Sequence, residues 1–66
     1  MKFKRGDKVE ITRNINGGKF KTGQIVKVNK LCKDHYELIS SDGESWYYSE
    51  IEICVARKNG WDAEEN

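Results

Sequence analysis

Five short apolar runs separated by turn-forming residues are the feature that most constrains the fold of this chain of 66 residues. The first run, Lys8-Val9-Glu10-Ile11, alternates charged and apolar residues as a half-buried strand does. No stretch shows the apolar spacing of three and four residues that an amphipathic helix requires. The pattern therefore predicts an all-β domain of five strands without a long helix.

The remaining strands are predicted at residues 23–28, 35–39, 45–48 and 51–55. Asp42-Gly43 lies between two of these runs and predicts a tight hairpin. Ser49-Glu50 is expected to form a single 3₁₀ turn before the last strand. Residues 1–55 are thus predicted to form a small barrel, and residues 56–66 a partly disordered, acidic tail. Trp61 interrupts that polar tail, and because a tryptophan is costly to leave in water, a contact with the barrel is an open alternative there.

The predicted core follows from strand alternation. Ile25 interrupts the alternation of Val26 and Val28, so a bulge or a sharp bend is expected in the second strand. The inward-facing set is Val9, Ile11, Ile25, Val28, Tyr36, Leu38, Trp46, Tyr48, Ile51 and Ile53. This set supplies enough apolar volume for one small core, as expected for a domain of this length.

The polar connection at residues 12–22 is long for so small a domain, and long connections in compact domains are usually functional or disordered. It contributes Arg13, Lys19, Phe20 and Lys21 to a candidate binding surface, to which the outward-facing Tyr47 of the fourth strand is added. The alternative for the loop is a solvated basic segment with Phe20 tucked into the barrel end. The alternative for Tyr47 is a packing role under the loop or under Trp61.

The net charge of +1 hides an asymmetry along the chain. Residues 1–33 carry ten Lys or Arg and two acids, a charge of +8, whereas residues 34–66 carry two and nine, a charge of −7. Such asymmetry occurs on nucleic-acid-binding surfaces. The favoured interpretation is that the first and last strands pair and their charges neutralise in space. The low net charge also argues against strong non-specific binding to nucleic acid.

The residues with reactive side chains do not form a recognisable catalytic or metal-binding pattern. Cys32, His35 and Cys54 supply three zinc ligands at most, and a structural zinc site needs four. Cys32 and His35 lack a third residue to orient them as a nucleophile and a base. We expect two reduced cysteines, no metal or other cofactor, no small-molecule substrate and no enzyme activity. An N-terminus without an apolar segment and the lack of a membrane-length apolar run favour a cytoplasmic protein with no membrane partner.

This layout resembles the SH3-like barrel superfold. Residues 6–11 and 18–28 look like the KOW motif of ribosomal and transcription-elongation proteins, with Gly23 at the glycine that opens the second strand and Lys19 and Lys21 in the basic loop. Residues 5–53 are similar to the YorP-type group of small SH3-like proteins from Bacillus prophages, mainly in turn glycines and core residues. The resemblance implies an SH3-like barrel from a phage or mobile element.

Two functions remain open on the sequence alone. The favoured one is a non-enzymatic module that docks on a protein partner, as a phage factor that modulates a host complex would. The alternative is a KOW-like barrel that binds RNA or another nucleic acid. A purely structural role in a larger assembly is a third possibility.

Overall fold

The computed structural model describes residues 2–56 and is an all-β structure with five strands, as the sequence predicts. The elements are β1 (Lys8–Ile11), β2 (Ile25–Leu31), β3 (Tyr36–Ile39), β4 (Ser45–Tyr48), a 3₁₀ helix (Glu50–Glu52) and β5 (Ile53–Val55). Among these residues no helix is long and apolar enough to cross a membrane. Apart from Ala56, the predicted tail with Trp61 lies outside the described residues.

The strands form one antiparallel sheet in the order β4-β3-β2-β1-β5. Strand β1 lies between β2 and β5, with Glu10 opposite Ile25 on one side and Cys54 on the other. The predicted pairing of the first and last strands is therefore confirmed. The sheet is not closed, because within residues 2–56 strands β4 and β5 are its two edges.

The hairpin between β3 and β4 forms at the predicted position. Gly43 has φ +91°, in the left-handed region that a glycine adopts without strain. Its backbone N–H donates to the Ser40 carbonyl at 3.0 Å, and the Ser40 N–H donates to the Glu44 carbonyl at 2.8 Å. The Asp42 carboxylate accepts hydrogen bonds from the Ser40 hydroxyl and, at 3.4 Å, from the Glu44 N–H. Glycine and aspartate thus each have a defined role in this turn.

Strand β2 is longer than expected and its irregularity lies elsewhere. Ile25 and Val26 are both buried. In register, Val26 is opposite Val9 and Ile25 is opposite Glu10, so the two neighbours lie on opposite faces of a regular strand. The register shift falls between Val28 and Lys30. Residues 29–31 lie beyond the strand predicted at residues 23–28 and belong to β2.

The core confirms most of the predicted inward set and corrects two members of it. Trp46 is 41% exposed and Ile51 is 66% exposed. Trp46 is opposite Leu38, on the core side of the edge strand β4, but unlike Tyr48 on the same face it is only partly covered. Ile51 belongs to the 3₁₀ helix rather than to a strand. The buried apolar side chains are Phe3, Val9, Ile11, Phe20, Ile25, Val26, Val28, Tyr36, Leu38, Tyr48 and Ile53.

Phe3 is a core residue that strand periodicity could not reveal, because it precedes β1. Its ring packs edge-to-face on Tyr36, with the ring centroids 5.6 Å apart. The Phe3 N–H donates to the Tyr36 hydroxyl at 3.1 Å, and that hydroxyl donates to Glu50 at 2.7 Å. Burial, followed by the hydrogen bond to the Glu50 carboxylate, raises the pKa of Tyr36. These contacts attach the N-terminal segment to the 3₁₀ helix.

Candidate binding surface

The connection between β1 and β2, residues 12–24, is called the first loop below. Its base is closed by two backbone hydrogen bonds, from Ile11 to the Gln24 carbonyl at 3.0 Å and from Gly23 to the Ile11 carbonyl at 2.7 Å. The N–H groups of Thr12 and Arg13 both donate to the Glu52 carbonyl, at 2.8 and 3.2 Å. The first loop therefore leaves the sheet along the 3₁₀ helix.

The Glu52 side chain extends this attachment. It is 1% exposed, and its carboxylate accepts four hydrogen bonds. One oxygen accepts the N–H groups of Ile15 at 2.9 Å and Asn16 at 3.4 Å. The other accepts the N–H and the hydroxyl of Ser49, at 2.9 and 3.0 Å. Burial raises the pKa of Glu52, but these hydrogen bonds outweigh burial and hold the pKa below its ordinary value.

A second attachment of the first loop is centred on the Tyr48 hydroxyl. It donates to the Asn14 side-chain oxygen at 2.5 Å and accepts the Phe20 N–H at 3.0 Å. The Asn14 amide nitrogen in turn donates to the Phe20 carbonyl at 2.9 Å. The Phe20 and Tyr48 rings stack with centroids 5.8 Å apart and an interplanar angle of 10°. Gly18 is required beside them, because a β-carbon there would overlap the Tyr48 hydroxyl.

A third attachment is electrostatic. The Lys19 ammonium lies 2.6 Å from a Glu44 carboxylate oxygen and 5.4 Å from the centre of the Trp46 ring. Lys19, Phe20 and Lys21 line a cavity of about 240 Å³ together with Asp42 and Glu44. Lys19 and Lys21 are therefore placed beside the acidic β3–β4 turn, where Glu44 offsets the charge of Lys19.

A larger groove of about 470 Å³ lies beside β4 and is called the aromatic groove below. Its lining residues include Asn16, Asp34, His35, Trp46, Tyr47 and Glu52. Tyr47 is 57% exposed, and its ring contacts the His35 ring edge-to-face at 5.1 Å between centroids. The His35 ring nitrogen Nδ1 lies 3.0 Å from the Asp34 carboxylate. Two partly exposed aromatic side chains and two carboxylates thus share one concave surface.

The structure brings the predicted surface residues together only in part. Lys19, Phe20 and Lys21 share the small cavity, whereas Tyr47 lines the aromatic groove, and Trp46 under Lys19 is the link between the two. Phe20 is 5% exposed, so its side chain is buried, as the alternative interpretation of the loop expects, rather than available at the surface. Tyr47 points outward and the first loop leaves it 57% exposed, while Trp61, the other cover considered for it, lies outside the described residues. Arg13 is exposed at the start of the first loop.

The two cysteines are free and half-buried. Cys32 donates its backbone N–H to the His35 carbonyl at 2.9 Å, so the two residues belong to one turn. Within residues 2–56 no group of three or more His, Cys, Asp or Glu side chains is placed to hold a metal ion.

Strand periodicity alone misses Glu52, because it assigns Ile51 and Ile53 to the core and Glu52 to solvent. The sequence does contain a relevant pattern. Ser49-Glu50-Ile51-Glu52 has the serine and glutamate spacing of a capping box, in which the glutamate side chain accepts the N–H of the capping residue. The structure contains that hydrogen bond at 2.9 Å. This pattern predicts that the Glu52 side chain turns back toward Ser49.

Comparison with known proteins does not assign the chain to a family. No protein-family model, no curated protein and no solved structure matches it.

Proposed function

We propose that this protein is a non-enzymatic binding module that docks on a protein partner through the aromatic groove and the adjoining first loop. The observation that carries the proposal is the exposure of two consecutive aromatic residues, Trp46 at 41% and Tyr47 at 57%, on an edge strand beside a concave surface. Tryptophan and tyrosine are the residues that most often dominate binding energy at protein interfaces. The attachments of the first loop support the proposal, since a surface that is ordered before binding loses less entropy on association.

The charges around the groove favour a protein over a nucleic acid. Asp34 and Glu52 line the groove, and Asp42 and Glu44 line the neighbouring cavity. Lys19 is already paired with Glu44. Phosphate binding needs uncompensated positive charge, so a phosphate backbone laid across this surface would meet repulsion from these carboxylates.

The KOW-like alternative rests on the basic residues of the first loop, and its strongest support is the exposed Lys21, two residues before Gly23. An SH3-like fold, an origin in a phage or mobile element and modulation of a host complex remain parts of the proposal that rest on the sequence resemblance. Action in the cytoplasm is also part of the proposal.

The proposal is tested by affinity capture from host lysate, with and without nuclease treatment, followed by direct binding to the purified partner. Tyr47→Ala is expected to weaken that binding by about 2 kcal/mol, as truncation of an interface anchor does. Tyr47→Phe, which keeps the ring, is the matched control and is expected to retain most of the affinity.

The charge-reversed variant Arg13→Glu with Lys21→Glu separates the two functions. It leaves the Lys19–Glu44 ion pair in place, so the first loop keeps its attachment to the β3–β4 turn. A nucleic-acid ligand would be lost in this variant and would bind the parent protein about tenfold more weakly at 200 mM than at 50 mM salt, as expected for two phosphate contacts. That result, together with capture abolished by nuclease, would replace the proposed function with the KOW-like one.

A further inference from the structure

Glu52 is a buried carboxylate whose hydrogen bonds connect two parts of the chain that are distant in sequence. Ile15 and Asn16 lie thirty-seven and thirty-six residues before it, and Ser49 lies in its own 3₁₀ turn. Burial of a carboxylate without hydrogen bonds is strongly unfavourable. The buried Glu52 carboxylate therefore needs the loop N–H groups as hydrogen-bond donors, and those N–H groups have it as their acceptor. The four donors are three backbone amides and one hydroxyl, all of them neutral groups.

The hydrogen bonds of Glu52 lie beside the proposed binding surface. Its side chain lines the aromatic groove, as does Asn16, whose N–H it accepts. Its backbone carbonyl accepts the N–H groups of Thr12 and Arg13. One residue therefore fixes the first loop at both ends of its residue 12–16 segment, directly beside Trp46 and Tyr47.

We infer that Glu52 is the positioning residue of the binding surface: its buried carboxylate holds the first loop in the conformation that a protein partner recognises. This inference rests on the proposed function in so far as it concerns affinity, whereas its claim about loop order stands without a partner. The order of residues 12–16 then depends on Glu52, while the sheet retains its own hydrogen bonds in its absence.

The substitution Glu52→Gln tests this with the smallest change in shape. A glutamine offers an acceptor at one end and a donor at the other, so it cannot accept from Ser49 and from Ile15 at once. Glu50→Gln is the matched control, since Glu50 lies in the same 3₁₀ helix and its carboxylate accepts from Lys2 and Tyr36 rather than from the first loop. Both variants lose the same charge.

The measurement is amide hydrogen exchange, followed residue by residue. In Glu52→Gln we expect the Ile15 amide to exchange at least about tenfold faster relative to the Val28 amide, which donates to Asp7 inside the sheet region. Glu50→Gln should leave the ratio unchanged. An equal increase at Ile15 and Val28 would show that Glu52 supports the whole fold, and no increase would show that the loop is held by other contacts. Either result overturns the inference.

Binding of the captured protein partner provides the second measurement. We expect Glu52→Gln to weaken it by about tenfold or more and Glu50→Gln to leave it unchanged. A loosened loop with unchanged affinity would overturn the positioning role while leaving the proposed function in place, whereas a failure of the proposed function itself appears as indifference to Tyr47→Ala. Should Glu52→Gln not fold, the unaltered protein decides: an Ile15 amide that exchanges as fast as in an unstructured peptide overturns the inference, and a protected one supports it.

Discussion

The hydroxyl oxygen of Tyr48 lies 2.5 Å from the side-chain oxygen of Asn14, a residue thirty-four positions earlier in the chain. The same hydroxyl accepts the Phe20 N–H. One side-chain oxygen of the edge strand β4 therefore holds both Asn14 and Phe20, the two residues that flank the middle of the first loop. The three consecutive aromatic residues therefore have different roles. Tyr48 is buried and holds the first loop through its hydroxyl, whereas Trp46 and Tyr47 remain partly exposed.

Tyr48→Phe should lower the free energy of unfolding by about 1–3 kcal/mol. It keeps the ring stacked on Phe20 but leaves the Phe20 N–H and the Asn14 side chain without their buried partner. Urea denaturation at neutral pH measures the change. Tyr47→Phe removes a hydroxyl from an exposed ring and should stay within about 0.5 kcal/mol of the parent. Similar losses in the two variants would contradict the role described for the Tyr48 hydroxyl.

Gly18→Ala should destabilise the protein by about 1–3 kcal/mol, the usual effect of forcing extra volume into a filled site. The added methyl group would overlap the Tyr48 hydroxyl and crowd the Asn14 side chain, and both must move to admit it. Lys21→Ala, an exposed change in the same loop, serves as the control and should be nearly neutral. A thermal unfolding midpoint for Gly18→Ala equal to that of the control would count against this packing.

Leu38→Ala should cost about 2–4 kcal/mol, whereas Leu31→Ala should cost about 0.5 kcal/mol. The two substitutions remove the same atoms, but Leu38 is fully buried and Leu31 is 43% exposed at the end of β2. In a domain of this size the larger loss is a substantial part of the total stability. Denaturant titration of both variants checks the difference, and comparable losses would mean that the core is wrongly placed.

The free energy of unfolding should decrease at acidic pH. Hydrogen bonds from Ser40 and Glu44 lower the pKa of Asp42, and those from Lys2 and Tyr36 lower the pKa of Glu50. The pKa of Glu52 is also lowered, despite burial. Each group binds protons more readily in the unfolded chain than in the folded one. Their contribution is therefore fully present above the ordinary carboxyl pKa values, 3.8 for aspartate and 4.5 for glutamate, and is lost as the pH falls through the lowered folded values.

The measurement is the urea midpoint between neutral pH and about pH 2, a range that covers these carboxyl titrations. We expect a plateau at neutral pH and a decline below the ordinary carboxyl pKa. Glu52→Gln should reduce the steepness of that decline, since one of the linked groups is then absent. An identical slope in the parent and in this variant would mean that Glu52 does not contribute to the acid sensitivity.

The sequence was most informative where local chemistry alone decides the structure. Alternation placed Val9 and Ile11 correctly, and Asp42-Gly43 identified the hairpin, because each pattern has a direct backbone cause. It was least informative where burial depends on what lies beyond a strand. Trp46 faces the core side yet stays half exposed. Alternation assigns a side chain to one face of a strand, but it does not show whether other residues cover that face.

The candidate site was predictable only as a set of residues. Nothing in the local pattern of the first loop says that Lys19 pairs with Glu44, twenty-five residues away, or that Phe20 stacks on Tyr48. Such contacts come from the order of the strands, which brings the first loop over β4. The sequence therefore indicated which loop to consider, while the tertiary structure decides which of its side chains remain accessible.

The carboxylate of Glu52 also has a consequence for the order of events in folding. Its partners in the first loop are separated from it by more than half of the described chain, so the hydrogen bonds can form only after the segment around β5 has reached β1. We expect Glu52→Gln to speed unfolding and to leave the folding rate nearly unchanged in stopped-flow measurements, as substitutions outside the folding nucleus do. A matching slowing of folding would place Glu52 in the nucleus instead. With the expected result, the proposed binding surface acquires its shape only after the main folding barrier has been crossed.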